Sequence, residues 1–320
     1  MEPEDYLAYR AAYSAGKLAE FREAVASDVI TLRSLPNLCI YVTGSYGRHE
    51  AGPNSDLDLF TMYSGDAPST EEAKSLTDGL KKVAAALGHQ EFTKDGKYLV
   101  PHAINDLSEK IGSQDEDSEN IFTARMLLLL ESEPIFNDQL HTDAVFACIN
   151  EYCRDFTKHP ADFYPRFFAN DIMRYWKTLC LNYENRRTKR DDGEKAKHRL
   201  KNYKLKFSRM MICFSMIACL CDRRESDSPG KLVGLAKMKP RVRLQTISGR
   251  HDLGHLFGQL VNEYTWFLQS TDQNEARAEA WLADNKDDAF RHASTFGDTI
   301  YRLLEQVAKA ARSDLRYLVV

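Results

Sequence analysis

The stretch from Tyr41 to Phe60 reads YVTGSYGRHEAGPNSDLDLF. An apolar run ends at Gly44-Ser45, ten residues intervene, and a second apolar run opens with two aspartates one residue apart. Side chains alternate faces along a strand, so Asp56 and Asp58 are expected on one face, with Leu57 and Leu59 turned into a core. Two carboxylates on one face suit a hard divalent cation. Mg²⁺ takes one or two protein carboxylates and completes its shell with water and substrate phosphate oxygens, so the pair implies a phosphorylated substrate. Mn²⁺ accepts the same oxygen donors.

Gly44 and Ser45 supply the other half of the pattern. If a strand over Leu38 to Thr43 ends there and a short helix begins near Ser45, glycine lets the backbone approach a phosphate, and free N–H groups at the helix start favour its charge. Arg48 adds a positive fork nearby. Gly44, Ser45 and Arg48 are therefore the expected nucleotide-binding residues. Asp56 and Asp58 are the expected metal ligands and catalytic residues.

The whole stretch resembles the signature of the DNA polymerase β-like nucleotidyltransferase superfamily: a strand, Gly-Ser, about ten residues, then Asp-x-Asp on the next strand. Within that superfamily, GSYGRHEAGPNSDLDLF is similar to the nucleotidyltransferase domain of the bacterial uridylyltransferases that modify the nitrogen-regulatory PII protein, and to related uncharacterised nucleotidyltransferases. The resemblance covers about residues 38–140. It implies a small mixed-sheet catalytic domain, expected with its N-terminal helix over residues 1–140; with an all-helical domain expected over 141–320 from its periodicity, the fold class is α+β.

Members of the superfamily usually add a third carboxylate on a following strand. After the helix-like segment Glu71 to Leu87, the chain reads HQEFTKDGKYLVPHAINDL, which suggests a hairpin turning at Lys94-Asp95-Gly96. Glu91, Asp95 and Asp106 are the candidates. Setting Pro101-His102 against the Gly-His of the uridylyltransferases makes Asp95 the expected third catalytic carboxylate. Asp-Gly is equally common hairpin chemistry, and that reading stands beside it. His102 is expected either near the site or simply packed.

Beyond about Leu140 nearly every segment has helical periodicity, including Ala169 to Glu184 and Asp298 to Ala311. The charged stretches 186–196 and 222–231 read as loops. Polymerase β-like enzymes often close the nucleotide cleft with a helical domain whose Lys and Ser reach the triphosphate tail. Lys204 and Ser208, four apart, would share a helix face and are the expected nucleotide contacts from this half. His251-Asp252 is similar to the His-Asp pair of metal phosphohydrolases, but His198, Asp272 and Asp284 are not spaced to complete a metal site. It is expected to be a helix-start pair without metal.

Composition narrows the class. The chain has 320 residues, enough for two domains. The longest apolar run, Met210 to Cys221, is twelve residues and reads as a buried helix rather than a membrane span. The start, MEPEDYLAYR, lacks a signal-peptide pattern. Seven cysteines without paired C-x-x-C spacing suggest free thiols in a reducing cytoplasm. A net charge of −4 does not indicate a nucleic-acid coat, although Arg186 to Arg209 is strongly basic.

The expected function is Mg²⁺- or Mn²⁺-dependent transfer of a nucleoside monophosphate from an NTP such as ATP to a hydroxyl on a protein, small molecule or nucleic acid, with release of pyrophosphate. Synthesis of a nucleotide second messenger and a catalytically inactive, antitoxin-like nucleotide-binding module are the alternatives.

Overall fold

The computed structural model describes residues 1–89, 92, 99–118, 120–161, 163–187, 192–222 and 228–310. The chain forms two units, one of Tyr9–Arg154 with Pro229–Lys237, the other of Met1–Ala8, Asp155–Ser228 and Met238–Val320. In order, the elements are α1 (Pro3–Asp28), β1 (Leu38–Thr43), α2 (Gly44–Gly47), β2 (Asp58–Tyr63), α3 (Thr70–Ala86), β3 (His102–Ala103), α4 (Ile104–Glu109), α5 (Asp115–Ser118), α6 (Ile121–Glu131), β4 (Glu133–Phe136) and α7 (Asp138–Tyr152). Then come α8 (Arg166–Arg187), α9 (Asp192–Lys204), a π-helical turn (Leu205–Arg209), α10 (Met210–Cys221), α11 (Pro229–Lys237), α12 (Pro240–Arg250), α13 (Gly254–Thr271), α14 (Glu275–Asp284) and α15 (Lys286–Ala310).

The first unit is built on a four-stranded mixed sheet in the order β3-β2-β1-β4. β1 and β2 run antiparallel from Leu38 opposite Tyr63 to Thr43 opposite Asp58. β4 joins the other edge of β1, antiparallel, and β3 lies parallel to β2 beside Met62 and Tyr63. β1 is buried along its whole length, as a central strand covered on both faces must be. Leu38, Ile40 and Val42 share a core with Leu18, Phe21 and Val25 of α1 and Leu76, Leu80 and Val83 of α3. Each such side chain contributes about 1.5–3 kcal/mol of burial. On the other face Tyr41 stacks on Phe60 at 5.5 Å between ring centres and meets the edge of His141 from α7. Burial pushes the Tyr41 phenol and the Cys39 thiol up, and Cys148 of α7 up to about 12. All seven cysteines are free.

Helix α6, IFTARMLLLLE, is buried at every position but Thr123, the signature of a helix apolar on all sides. Arg125 and the terminal Glu131 are the charged exceptions within it. Arg125 is held from several sides. Wholly buried, its guanidinium donates to the Glu116 carboxylate, to the Tyr152 hydroxyl at 2.9 Å and to the Leu107 carbonyl at 3.2 Å.

The passage from β4 to α7 turns on Asn137, which has φ 64°. Its Oδ1 caps α7 by accepting from the Leu140 N–H at 3.1 Å, and its Nδ2 donates to the Pro36 and Leu38 carbonyls at 3.1 and 3.2 Å. Asparagine is one of the few residues that enters the left-handed region readily. Asn137→Ala is expected to cost about 2 kcal/mol by adding left-handed strain to loss of the cap, and Asn137→Gly less, read from urea unfolding midpoints. Equal midpoints for the two variants would remove the backbone's part in that difference.

The second unit is helical. Its core is aromatic around Tyr203, Phe207, Tyr264, Phe267 and Phe296, with Phe207 stacked on Phe267 at 4.6 Å. Helix α10 occupies the apolar run 210–221. In the first unit α7 packs on β1, and α11 packs back on α6 and α7. The stretches read as loops over 186–196 and 222–231 are partly helical, since α9 opens at Asp192 and α11 at Pro229; residues 188–191 and 223–227 lie outside those described. Among the described residues no helix is long and apolar enough to cross a membrane.

Candidate active site

The antiparallel ladder of β1 and β2 sets the site. Asp56, Leu57, Asp58 and Leu59 alternate exposed, buried, exposed, buried, with both leucines in the α1/α3 core. Asp58 opens β2 and is paired with Thr43, the last residue of β1; Asp56 precedes the strand. Directly after Thr43 the chain enters the left-handed region at Gly44, φ 67°, where a Cβ would stand 2.6 Å from Oδ2 of Asp58. Only glycine lets the backbone pass this close to the carboxylate. Ser45 is half-buried between the buried Gly44 and Tyr46, so it is the part of the turn that reaches the surface. Tyr46 anchors the turn inward, edge-on to His89 at 5.6 Å, and burial pushes its phenol up. The fold thus brings Gly44, Ser45 and Asp58 to one end of the sheet, with Asp56 leading into it. These are hard oxygen donors beside a glycine-serine turn of which Ser45 reaches the surface.

Residues 20–125 match the family model described as a nucleotidyltransferase domain. This segment is a nucleotidyltransferase domain of the polymerase β-like superfamily. The match is to the domain family at large and does not single out the uridylyltransferases. No curated protein matches the chain.

In the nucleotidyltransferase domain Arg48 is turned to buried carboxylates. It is 7% exposed; its Nε donates to Glu50 at 2.6 Å and its NH1 donates to Glu131. Here α2 lies against the end of α6. At Gly47 a Cβ would stand 2.0 Å from the backbone oxygen of Glu131, so the guanidinium of the next residue is delivered to buried carboxylates rather than to solvent. Glu50, Glu131 and Gly47 carry no expectation in the sequence reading. The available signals are the second glycine of Gly-Ser-Tyr-Gly and the lone acid ending the run LLLLE.

The third carboxylate falls in two places. Glu91 and Asp95 lie outside the described residues. Asp106 sits in α4, paired with Lys110 at 3.3 Å, just beyond the end of β3. Because β3 runs parallel to β2 beside Met62 and Tyr63, both Asp106 and His102 belong to the end of β2 opposite Asp58, about 13 Å or more away at 3.3 Å per residue. Asp106 thus follows a strand that pairs with the end of β2 remote from Asp58. Among the described residues no group of three His, Cys, Asp or Glu side chains is placed to hold a metal.

In the helical unit Lys204 and Ser208 differ in burial. Lys204 is exposed at the end of α9, whereas Ser208 is buried in the π-helical turn and accepts from the Tyr264 hydroxyl at 3.3 Å. His251 pairs with Asp222 at 3.3 Å rather than with its neighbour: Asp252 is exposed in the left-handed region, and the pair closes α12 instead of starting a helix.

Proposed function

We propose that the nucleotidyltransferase domain transfers a nucleoside monophosphate from an NTP to a hydroxyl acceptor and releases pyrophosphate. Asp56 and Asp58 would hold Mg²⁺ or Mn²⁺, and the backbone at Gly44 with the Ser45 hydroxyl would seat the triphosphate. The acceptor oxygen attacks the α-phosphorus, the bond to pyrophosphate breaks, and the hydroxyl proton is lost to solvent or base. The residues present fit such a cation: two exposed carboxylates on either side of a buried leucine, next to a turn whose closeness admits no side chain. A divalent cation bound there supplies charge neutralisation on the triphosphate and acidifies the acceptor hydroxyl. The chain's own part is placement, since phosphoryl-type transfer rests mainly on positioning and electrostatics.

The observation that carries this reading is the packing of Gly44 against the Asp58 carboxylate, which puts a phosphate-compatible backbone and a metal-compatible oxygen in one place. Asp58→Asn is expected to lower NTP turnover about a thousandfold, corresponding to several kcal/mol of lost charge stabilisation, with the unfolding midpoint unchanged because Asp58 is exposed. Each of the four α-labelled NTPs, offered with Mg²⁺ or Mn²⁺ and with cell extract as the acceptor source, provides the assay. Turnover equal in Asp58→Asn and wild type would sink the assignment. Metal-dependent NTP binding without turnover would point to the nucleotide-binding module instead.

A further inference from the structure

We propose that Arg48 and Glu131 are positioning residues that hold the Gly44-Ser45 turn at the Asp58 carboxylate, acting through the backbone of α2 rather than on nucleotide. The inference rests on the function proposed above for its nucleotide half only. Residues 44–51 are fastened from two sides. From α6, Glu131 accepts from Arg48, with the two side chains 0% and 6% exposed, and its backbone oxygen abuts Gly47. From α1, Arg10 Nε donates to the Glu50 carbonyl at 2.9 Å, and the Ser14 hydroxyl accepts from the Ala51 N–H at 2.8 Å. Within the turn, Arg48 also bonds Glu50, and the Glu50 N–H donates to the Ser45 carbonyl at 2.8 Å.

A buried guanidinium between two buried carboxylates is a poor way to gain stability, because well-packed apolar side chains of the same volume generally do as well. What the ions add is direction. The planar fork fixes Arg48 against both acids, so α2 has a defined height and rotation on α6. Gly44 and Ser45 inherit that placement through one turn of backbone. A misplacement of about 1 Å in a reacting group costs roughly a hundredfold in rate, the size of effect this clamp guards against.

The test compares wild type with Glu131→Gln, Arg48→Lys and Glu72→Gln. Glu131→Gln keeps the shape and leaves Arg48 its Glu50 partner. Arg48→Lys keeps the charge and loses the fork. Glu72→Gln weakens the exposed hydrogen bonds between Ser69 and Glu72 that cap α3, in the same unit and away from the turn, and controls for general loosening. Two readouts are taken: amide hydrogen exchange of the peptide covering 44–51 against that covering 38–43, and NTP affinity and turnover.

Exchange in 44–51 is expected to rise at least about tenfold in Glu131→Gln and Arg48→Lys but not in Glu72→Gln, with 38–43 unchanged. In the same two variants kcat/KM is expected to fall about a hundredfold, partly through kcat, and Arg48→Lys should not rescue it. Unchanged exchange in 44–51 overturns the clamp whatever the enzyme does. Faster exchange with wild-type NTP affinity and turnover overturns the positioning role. A wild type that neither binds nor turns over NTP overturns the proposed function and the nucleotide half of this inference, while the exchange result still decides the clamp.

Discussion

Gly47→Ala should unfold the nucleotidyltransferase unit at markedly lower urea than wild type. A Cβ there would lie 2.0 Å from the Glu131 carbonyl oxygen and 3.0 Å from that of Val42, both backbone atoms in regular elements that cannot swing aside. To make room, α2 must lift from α6, which separates Arg48 from Glu131 and leaves a buried charge poorly compensated. Overpacking costs about 1–3 kcal/mol and breaking a buried ion pair about 3–5 kcal/mol. A partial version of both takes about 4 kcal/mol from the 5–15 kcal/mol that holds a typical domain together.

Gly44→Ala makes the informative contrast. Its left-handed backbone costs an alanine about 1–2 kcal/mol, and its Cβ meets the end of a side chain, the Asp58 carboxylate, which can rotate. That variant should fold and lose NTP turnover. A wild-type midpoint for Gly47→Ala would refute the close approach of α2 to α6.

Arg125→Ala should be nearly as damaging and for a different reason. Arg125 and Glu116 are each 0% exposed, and the guanidinium also serves the Tyr152 hydroxyl and the Leu107 carbonyl. Truncation removes three partners at once and strands a carboxylate in an apolar helix layer, at about 3–5 kcal/mol. The double variant Arg125→Met with Glu116→Leu should recover much of that loss, since no charge is then left buried. Thermal and urea unfolding of Arg125→Met, Glu116→Leu and the double variant form the cycle. A double variant as unstable as Arg125→Ala would mean that the polar bonds to Tyr152 and Leu107, not the ion pair, carry the cost.

Local pattern reveals the elements whose cause is local. Leu38–Thr43 is a strand because a continuous apolar run stops at a glycine, and Met210–Cys221 is a helix because a twelve-residue run broken only by Ser215 has no other use in a folded chain. The alternation at 56–59 follows from strand geometry alone. The misreadings share a different origin. Arg48 has one acid two positions away, but the other, Glu131, is 83 positions away and no neighbouring residue hints at it. β4 is a four-residue edge strand in which only Ile135 and Phe136 favour extended backbone, too short a signal beside Pro134, and it exists because β1 offers it a ladder. Ser208 is buried against the Tyr264 hydroxyl, 56 positions away, a partner that hydrophobic spacing does not reveal. His251 takes an acid from the end of α10 rather than its neighbour because Asp252 points its backbone the other way. Charge partners and edge pairings are decided by tertiary structure, so they surface only with it.

The clamp on the turn also says where the working unit ends. The family match closes at residue 125, six positions short of Glu131, and opens at residue 20, after Arg10 and Ser14. A ribosome that has delivered the matched segment has made both aspartates and the glycine turn, and the local β1–β2 hairpin can already form. The turn is still loose. It locks only when the chain has reached β4 and α6 docks, a long-range closure that comes late in folding. The smallest piece of this protein that carries a finished site is therefore larger than its recognisable motif, and the extra length lies on both sides of it.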